Sequence, residues 1–391
     1  VTRLLALLLG RLPIGWLQLT HNRGRMTAAL AGVAFANVLV LVQLGILGAL
    51  NGTVAVGYAP FRSDIFISSS DANTLTDGSA LSRRVMYQAL ADRDISAAAP
   101  LYLGNVDWTR HDGSIATMIV YGLPVEAQRF AGDLVRNDLP TLSVPDTVLI
   151  DRSTRGADTE ALALVSPATP LRFEVNGRTM SATESFELGG SFTADGSLIV
   201  SDQTFLRMFP SRIAGTPSHI LVDVIPGADI AQVVENLRER LAAEPIHVRS
   251  IVTAMAEDLN YQTTQRPTGV IFGFSVAMAV VIGLVIVYQV LSTDVADHLA
   301  EYATFKAMGF PHSFFLGIVL EESVILGALG FLPGLATATG LYQVVTSLTG
   351  LPITMTGTRA LMVFVGTIVA CAASGALAAR RLQTADPAEL F

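Results

Sequence analysis

Four apolar stretches interrupt an otherwise mixed chain. No charged residue falls between Arg25 and Arg62, between Arg266 and Asp294, or between Glu322 and Arg359, and 360–379 is likewise uncharged. Each reaches the length of about 20 residues that a helix needs to cross a hydrocarbon core. The pattern predicts membrane helices at 26–50, 268–291, 314–347 and 361–379. The third is longer than one crossing requires, and Pro333-Gly334 is expected to bend it.

The interval 51–266 has a different rhythm. Strand-like runs flank two-residue turn signals at Asp112-Gly113, Asn176-Gly177 and Asp195-Gly196, dipeptides suited to the positive-φ positions of tight hairpins. A helical period appears in "LSRRVMYQALADR" and in "ADIAQVVENLRERLAAE", where Ile230, Val233, Val234, Leu237 and Leu241 share one face. "SDIFIS", the first of these helices and "ISAAAPLYL" make one strand-helix-strand unit. "HILVDVI", the second helix and "IHVRSI" make another. Two such units predict a ferredoxin-like or split βαβ module with the hairpins inserted between them. "SIVTAMAEDLNYQTTQ" then leads into the second apolar stretch, either as a helical stalk continuous with it or as a linker. The expected fold class is an α-helical membrane protein with four transmembrane helices and a mixed α/β extracytoplasmic domain.

Charge supplies the orientation. Arg3, Arg11, Arg23 and Arg25 precede the first crossing and Arg380 and Arg381 follow the last, so both termini are expected in the cytoplasm. Segment 1–25 then reads as a cytoplasmic or interfacial amphipathic piece, with Leu4 to Leu19 lying on the membrane surface and Trp16 as its anchor. Domain 51–266 lies outside, 294–311 is a cytoplasmic insert, 348–359 a short external loop and 380–391 a cytoplasmic tail. Composition agrees: 51% of residues are hydrophobic and 15% charged, with a mean hydropathy of +0.51.

A net charge of −8 argues against nucleic acid as a partner, which demands clustered Lys and Arg. The single cysteine, Cys371, excludes an intrachain disulfide. Lys306 is the one lysine of the chain and follows "EYATF", so no phosphate-binding P-loop exists here. There is no G-x-S-x-G elbow, no H-E-x-x-H and no paired Cys or His at ligand spacing. "DWTRHD" beside the first hairpin turn reads as a solvated turn cluster. The sequence therefore points to no catalytic residue, no metal and no cofactor bound by this chain.

Small residues recur at four-residue spacing in the first two membrane helices, with Gly32 and Ala36 in one and Gly273 and Ala277 in the other. Such faces admit close helix packing, within one chain or across a dimer. Asn37, Gln43 and Gln289 are polar groups expected to find partners across helix interfaces. Glu321 and Glu322 lie early in the third helix, where acidic groups are costly, so at least one should face protein or water.

The insert "DVADHLAEYATFKAMGF" places Val295, Leu299, Tyr302, Phe305 and Met308 close to one side of a helix, flanked by Asp297, Glu301 and Lys306 and stopped by Gly309 and Pro311. A short amphipathic helix in the cytoplasm, in a chain without a P-loop, suits docking to another protein. Its residues resemble the coupling helix of MacB/FtsX-type (type VII) ABC transporter permeases, an acidic-x-x-x-Glu-x-Gly-x-x-x-Ala-x-Gly pattern that Asp297, Glu301, Ala307 and Gly309 fit and from which Ala303 departs. "EESVILGALGFLPG" and the closing "ADPAELF" are similar to other parts of that family, and "WLQLTHNRGR" and "DHLAEYATFKAMGF" resemble its DevC branch.

The resemblance implies a permease subunit that docks a separate ABC ATPase, carrying ATP and Mg, through Asp297, His298, Glu301, Tyr302, Phe305 and Lys306. It implies a second copy of this chain, a periplasmic membrane-fusion adaptor, an outer-membrane TolC-like channel and a lipid-like substrate, in a bacterial inner membrane with the large domain periplasmic. Two alternatives share the fold: a lipoprotein-releasing permease, and an FtsX-like regulator of a cell-wall hydrolase. A membrane receptor or an enzyme with an external active site is a third, and leaves the insert unexplained.

Overall fold

The computed structural model describes residues 14–110, 112–298, 304 and 308–384. Two compact units emerge: Val1–Gly48, Ile271–Val344 and Ile353–Phe391 form one, and Ala49–Val270 with Val345–Pro352 the other.

The first unit is helical. A short α1 (Ile14–His21) precedes α2 (Arg23–Tyr58), α8 (Pro267–Asp297), α9 (His312–Thr349) and α10 (Gly357–Thr384). These last four are the helices long and apolar enough to cross a membrane. Their contacts depend on glycine. A Cβ on Gly330 would lie 2.7 Å from Val33 Cγ1 and one on Gly334 2.8 Å from Asn37 Cβ, so α9 approaches α2 more closely than any side chain would allow. Leu19, Ala29, Val33, Ala36, Val287, Leu291, Leu326 and Cys371 form one buried layer of this unit. Pro333 sits inside α9, which continues as helix through it. Instead of merely lying on a surface, α1 is packed: Gly15 abuts the backbone of α9 at Ile318 and Glu322, and Leu19 is buried.

The second unit is a nine-stranded mixed sheet in the order β5-β6-β4-β7-β3-β2-β8-β1-β9. Its strands are β1 (Ile65–Ser69), β2 (Ile95–Thr109), β3 (Ile115–Leu123), β4 (Thr147–Asp151), β5 (Leu171–Val175), β6 (Arg178–Phe186), β7 (Gly196–Ser201), β8 (His219–Val224) and β9 (Ile246–Ser250). Helices α3 (Arg83–Leu90), α4 (Thr159–Ala163), α5 (Asp202–Met208), α6 (Ile230–Arg240) and α7 (Ile251–Thr264) complete it. β1-α3-β2 and β8-α6-β9 interleave as β2-β8-β1-β9, all antiparallel, which is the expected split βαβ module. The inward face of α6 is buried as its period requires, with Val233, Val234, Leu237 and Leu241 against Ile65, Ile67 and Val248. Asp229 caps it by accepting from the Ala231 N–H, an arrangement worth about 1 kcal/mol.

The long β2 joins two halves of the sheet. Its first half pairs with β8 and its second with β3. The β2–β3 turn contains Gly113 at φ 80°, and the β5–β6 turn has Asn176 and Gly177 at φ 50° and 73°, as the hairpin signals required. Asp195-Gly196 is different and corrects the sequence expectation. Gly196 opens β7, which pairs parallel with β3 and antiparallel with β4, so no tight hairpin forms there. A Cβ on Gly196 would fall 2.2 Å from Thr154 Oγ1, so the position demands glycine for space.

A polar node organises the loop after β1. Asp258 of α7, buried, accepts hydrogen bonds from the Leu75 N–H (2.8 Å), the Tyr58 hydroxyl (3.2 Å) and Gln262 Nε2 (2.7 Å). His219 Nε2 donates to the Leu75 carbonyl at 2.8 Å, so both sides of Leu75 are held. Burial pushes the His219 imidazole down to about 4 and raises the Asp258 carboxyl above its ordinary value. The stalk expected from 251–266 is a separate helix: α7 ends at Thr264, and a new helix starts at Pro267.

A carboxyl whose value is raised on folding binds its proton more tightly in the native state, so its contribution to stability falls as pH rises from the ordinary carboxylate range through the raised value. Asp258→Asn keeps acceptors for Leu75 and Tyr58 and removes the buried charge. It should unfold no earlier than the wild type at pH 8 and flatten this pH dependence. Asp258→Ala removes the acceptor of three donors, two of them buried, and should cost about 2–3 kcal/mol. Thermal unfolding of the detergent-solubilised chain at pH 5 and pH 8 measures both.

Candidate functional site

The insert is entered from the end of α8, and that end is tied down by charge. Arg25, in the first turn of α2, makes ion pairs with Asp294 (Nε to Oδ1, 3.3 Å) and Asp297 (Nη1 to Oδ2, 3.3 Å). Its Nη2 lies 2.7 Å from His298 Nε2. The same Nη2 is 3.1 Å from His298 Nδ1, so the guanidinium lies beside both ring nitrogens. Nδ1 is also 3.0 Å from the Asp294 carbonyl oxygen, to which the ring donates, leaving Nε2 as its acceptor nitrogen. Glu322 of α9 completes the group: Asp294, His298 and Glu322 each offer a ligand atom within 4.8 Å of the others. Three helices therefore meet at one polar cluster, in a layer with Val295, Phe315, Ile318, Val319 and Ala378.

Burial makes this arrangement consequential. Asp294 is 5% exposed, His298 6% and Glu322 1%. Carboxylates removed from water need opposite charge or hydrogen bonds, and an Arg on the neighbouring helix supplies them here. The cluster can hold the root of the insert at a fixed register on α2 and α9. Among the described residues it is the densest set of charged side chains in the helical unit.

Of the six docking residues read from the sequence, Asp297 and His298 are in this cluster, although they face Arg25 of the same chain. Glu301, Tyr302, Phe305 and Lys306 lie outside the described residues. Gly309, at φ 89°, ends the insert ahead of α9 in the way a stop signal should. Glu321 and Glu322 are both buried.

The small-residue faces divide. Gly32 and Ala36 pack within the chain: a Cβ on Gly32 would meet Val290 Cγ2 at 2.9 Å, and Gly283 faces Ala36. Gly273 and Ala277 are exposed on α8, with open space around Gly273. Asn37 meets its expectation, accepting from the Thr367 hydroxyl across α2 and α10. Gln289 does not, because its side chain is exposed.

Sequence reasoning placed Asp297, His298 and Glu322 separately but missed Arg25 and Asp294 as their partners. The one available signal was the row of polar residues with i, i+4 spacing at Asp294 and His298, just where α8 leaves the apolar stretch.

Residues 273–387 match the FtsX-like permease C-terminal family model. No curated protein matches the chain. Among solved structures the chain is similar to the extracellular domain of the ABC-type transporter YknZ from Gram-positive bacteria, at 10% identity and a TM-score of 0.34, over 48% of this chain and 98% of that one. It is also similar to the periplasmic region of MacB from Actinobacillus actinomycetemcomitans, at 14% identity and a TM-score of 0.34, over 55% of this chain and 96% of that one.

Removing Arg25 should expose the cost of the cluster. Arg25→Gln leaves Asp294 buried without its counter-charge and should destabilise the chain by about 3 kcal/mol. Adding Asp294→Asn should recover much of that loss, a coupling that a double-mutant cycle on thermal unfolding in detergent reads directly.

Proposed function

We infer that this chain, which carries an FtsX-like permease C-terminal domain over residues 273–387, is the membrane subunit of an ABC exporter of the DevC branch and works as a homodimer. In this reading a separate ATPase docks on 294–311, with Asp297, His298, Glu301, Tyr302, Phe305 and Lys306 as its contact set. ATP and Mg belong to that partner. The four long helices lie in a bacterial inner membrane with both termini cytoplasmic, and 51–266 is periplasmic.

The observation that carries the proposal is the family match, which begins within α8 and includes the insert, α9 and all of α10. The polar cluster adds a physical reason. A push on the insert passes into α8, and the Arg25 pairs and Glu322 hand it to α2 and α9 as a rigid displacement instead of letting it dissipate at a loose hinge. Helices α2, α8 and α9 each contribute residues to both units, so they are the elements that would carry the motion outward. On this reading the outer domain acts on a lipid-like or amphiphilic envelope substrate, delivered through a periplasmic adaptor and a TolC-like duct.

Co-expression with the ATPase encoded beside this chain tests the reading. The wild type should capture the ATPase in nanodiscs and raise its hydrolysis rate, while Glu301→Lys combined with Phe305→Ala should lose capture and keep the elution profile of a folded protein. Equal capture by both would show that 294–311 is only a connector.

A further inference from the structure

Among the described residues, the end of α8 gathers Arg25 from α2, Asp294 and Asp297 from α8, His298 just after it, and Glu321 and Glu322 from α9. Arg25 pairs with Asp294 and Asp297, and the Glu322 carboxyl faces that of Asp294. Asp294 Oδ2 and Glu322 Oε1 are buried and accept no hydrogen bond, although the residues that carry them are 5% and 1% exposed. Buried carboxylate oxygens in native proteins are normally paired, hydrogen-bonded or bound to a cation.

The third member has the tautomer a ligand needs. The His298 Nδ1–H is committed to the Asp294 carbonyl at 3.0 Å, which leaves Nε2 unprotonated. A backbone carbonyl in that position is the usual outer-shell partner of a metal-binding imidazole. His298 follows the last residue of α8 and its N–H still bonds to the Asp294 carbonyl one turn back, while Glu322 comes from α9. We propose that Asp294, His298 and Glu322 form a binding site for a divalent first-row transition ion of the Mn2+ or Zn2+ class.

One imidazole nitrogen and two carboxylate oxygens suit those ions better than soft Cu(I) or an all-oxygen Ca2+ cage. Arg25 then has two positions. Without the ion its guanidinium lies on His298 Nε2, at 2.7 Å. With the ion bound, Nε2 is occupied and Arg25 keeps Asp297, already 3.3 Å away. The ion would cross-link α8 to α9 beside the insert, so its binding would stiffen the segment through which motion enters. The site is defined by the side chains alone and does not depend on the permease reading.

The full chain, purified in detergent and stripped with a chelator, is titrated with MnCl2 and with ZnCl2, and bound metal is counted by mass spectrometry after desalting. Co2+ substitution gives a separate absorption signature of an oxygen- and nitrogen-ligated site. The wild type should retain one ion per chain. Glu322→Gln and His298→Gln, near-isosteric and checked for helicity by circular dichroism, should each lower affinity roughly ten-fold or more. Asp107→Asn, in β2 of the sheet unit, removes no proposed ligand and should keep the ion. If a variant fails to fold, protection of the wild type against thermal unfolding by Mn2+ or Zn2+ still decides the matter. Absence of stoichiometric metal in the wild type overturns the proposal, and so does equal retention by the Glu322 and His298 variants, which would place the ions on the acidic outer domain.

Discussion

A helix bundle in a membrane has no water to solvate a stray charge, and that constraint shapes the helical unit. Asp294 could not remain buried at the end of α8 unless something answered its charge, and Arg25 reaches across from α2 to do so. Further along α9, the glycines at 330 and 334 let it close on α2 at Val33 and Asn37. The insert between α8 and α9 therefore starts from a point fixed to α2 by the Arg25 ion pairs.

The sheet unit solves a different problem. Its split βαβ module buries both helices on one antiparallel face, and the long β2 carries the register into the second half of the sheet. Asp258 and His219 then hold opposite sides of the Leu75 peptide, so the loop after β1 is held to α7 by hydrogen bonds in a dry environment. Asp77 adds an ion pair to Arg266, in the link between α7 and α8. Helix α7, directly ahead of α8 in the chain, is thus a braced part of this unit, a suitable input for a domain whose proposed work is mechanical.

Patterns with local causes were legible in the sequence. Apolar length announced the four long helices, Asn176-Gly177 and the Gly113 turn announced their hairpins, and the faces of α3 and α6 marked the split βαβ units. Asp195-Gly196 misled because glycine serves two purposes. The dipeptide looks like a positive-φ turn, whereas Gly196 is needed for clearance against Thr154, a residue brought near only by the fold. The break before Pro267 was readable in principle, since proline favours the first turn of a new helix. The polar cluster was not. Arg25 and His298 are 273 positions apart, and nothing local in either stretch shows that they meet. Small-residue spacing likewise could not separate the packed Gly32 face from the exposed Gly273 face, because both obey the same rule.

The proposed docking of a cytoplasmic ATPase on 294–311 can be tested with a photo-reactive residue at position 305, activated in cells that also express the neighbouring ATPase. A covalent adduct between this chain and the ATPase, increased when hydrolysis is blocked with ATP bound, is the expected result. Adducts confined to lipid or to a second copy of this chain would contradict it.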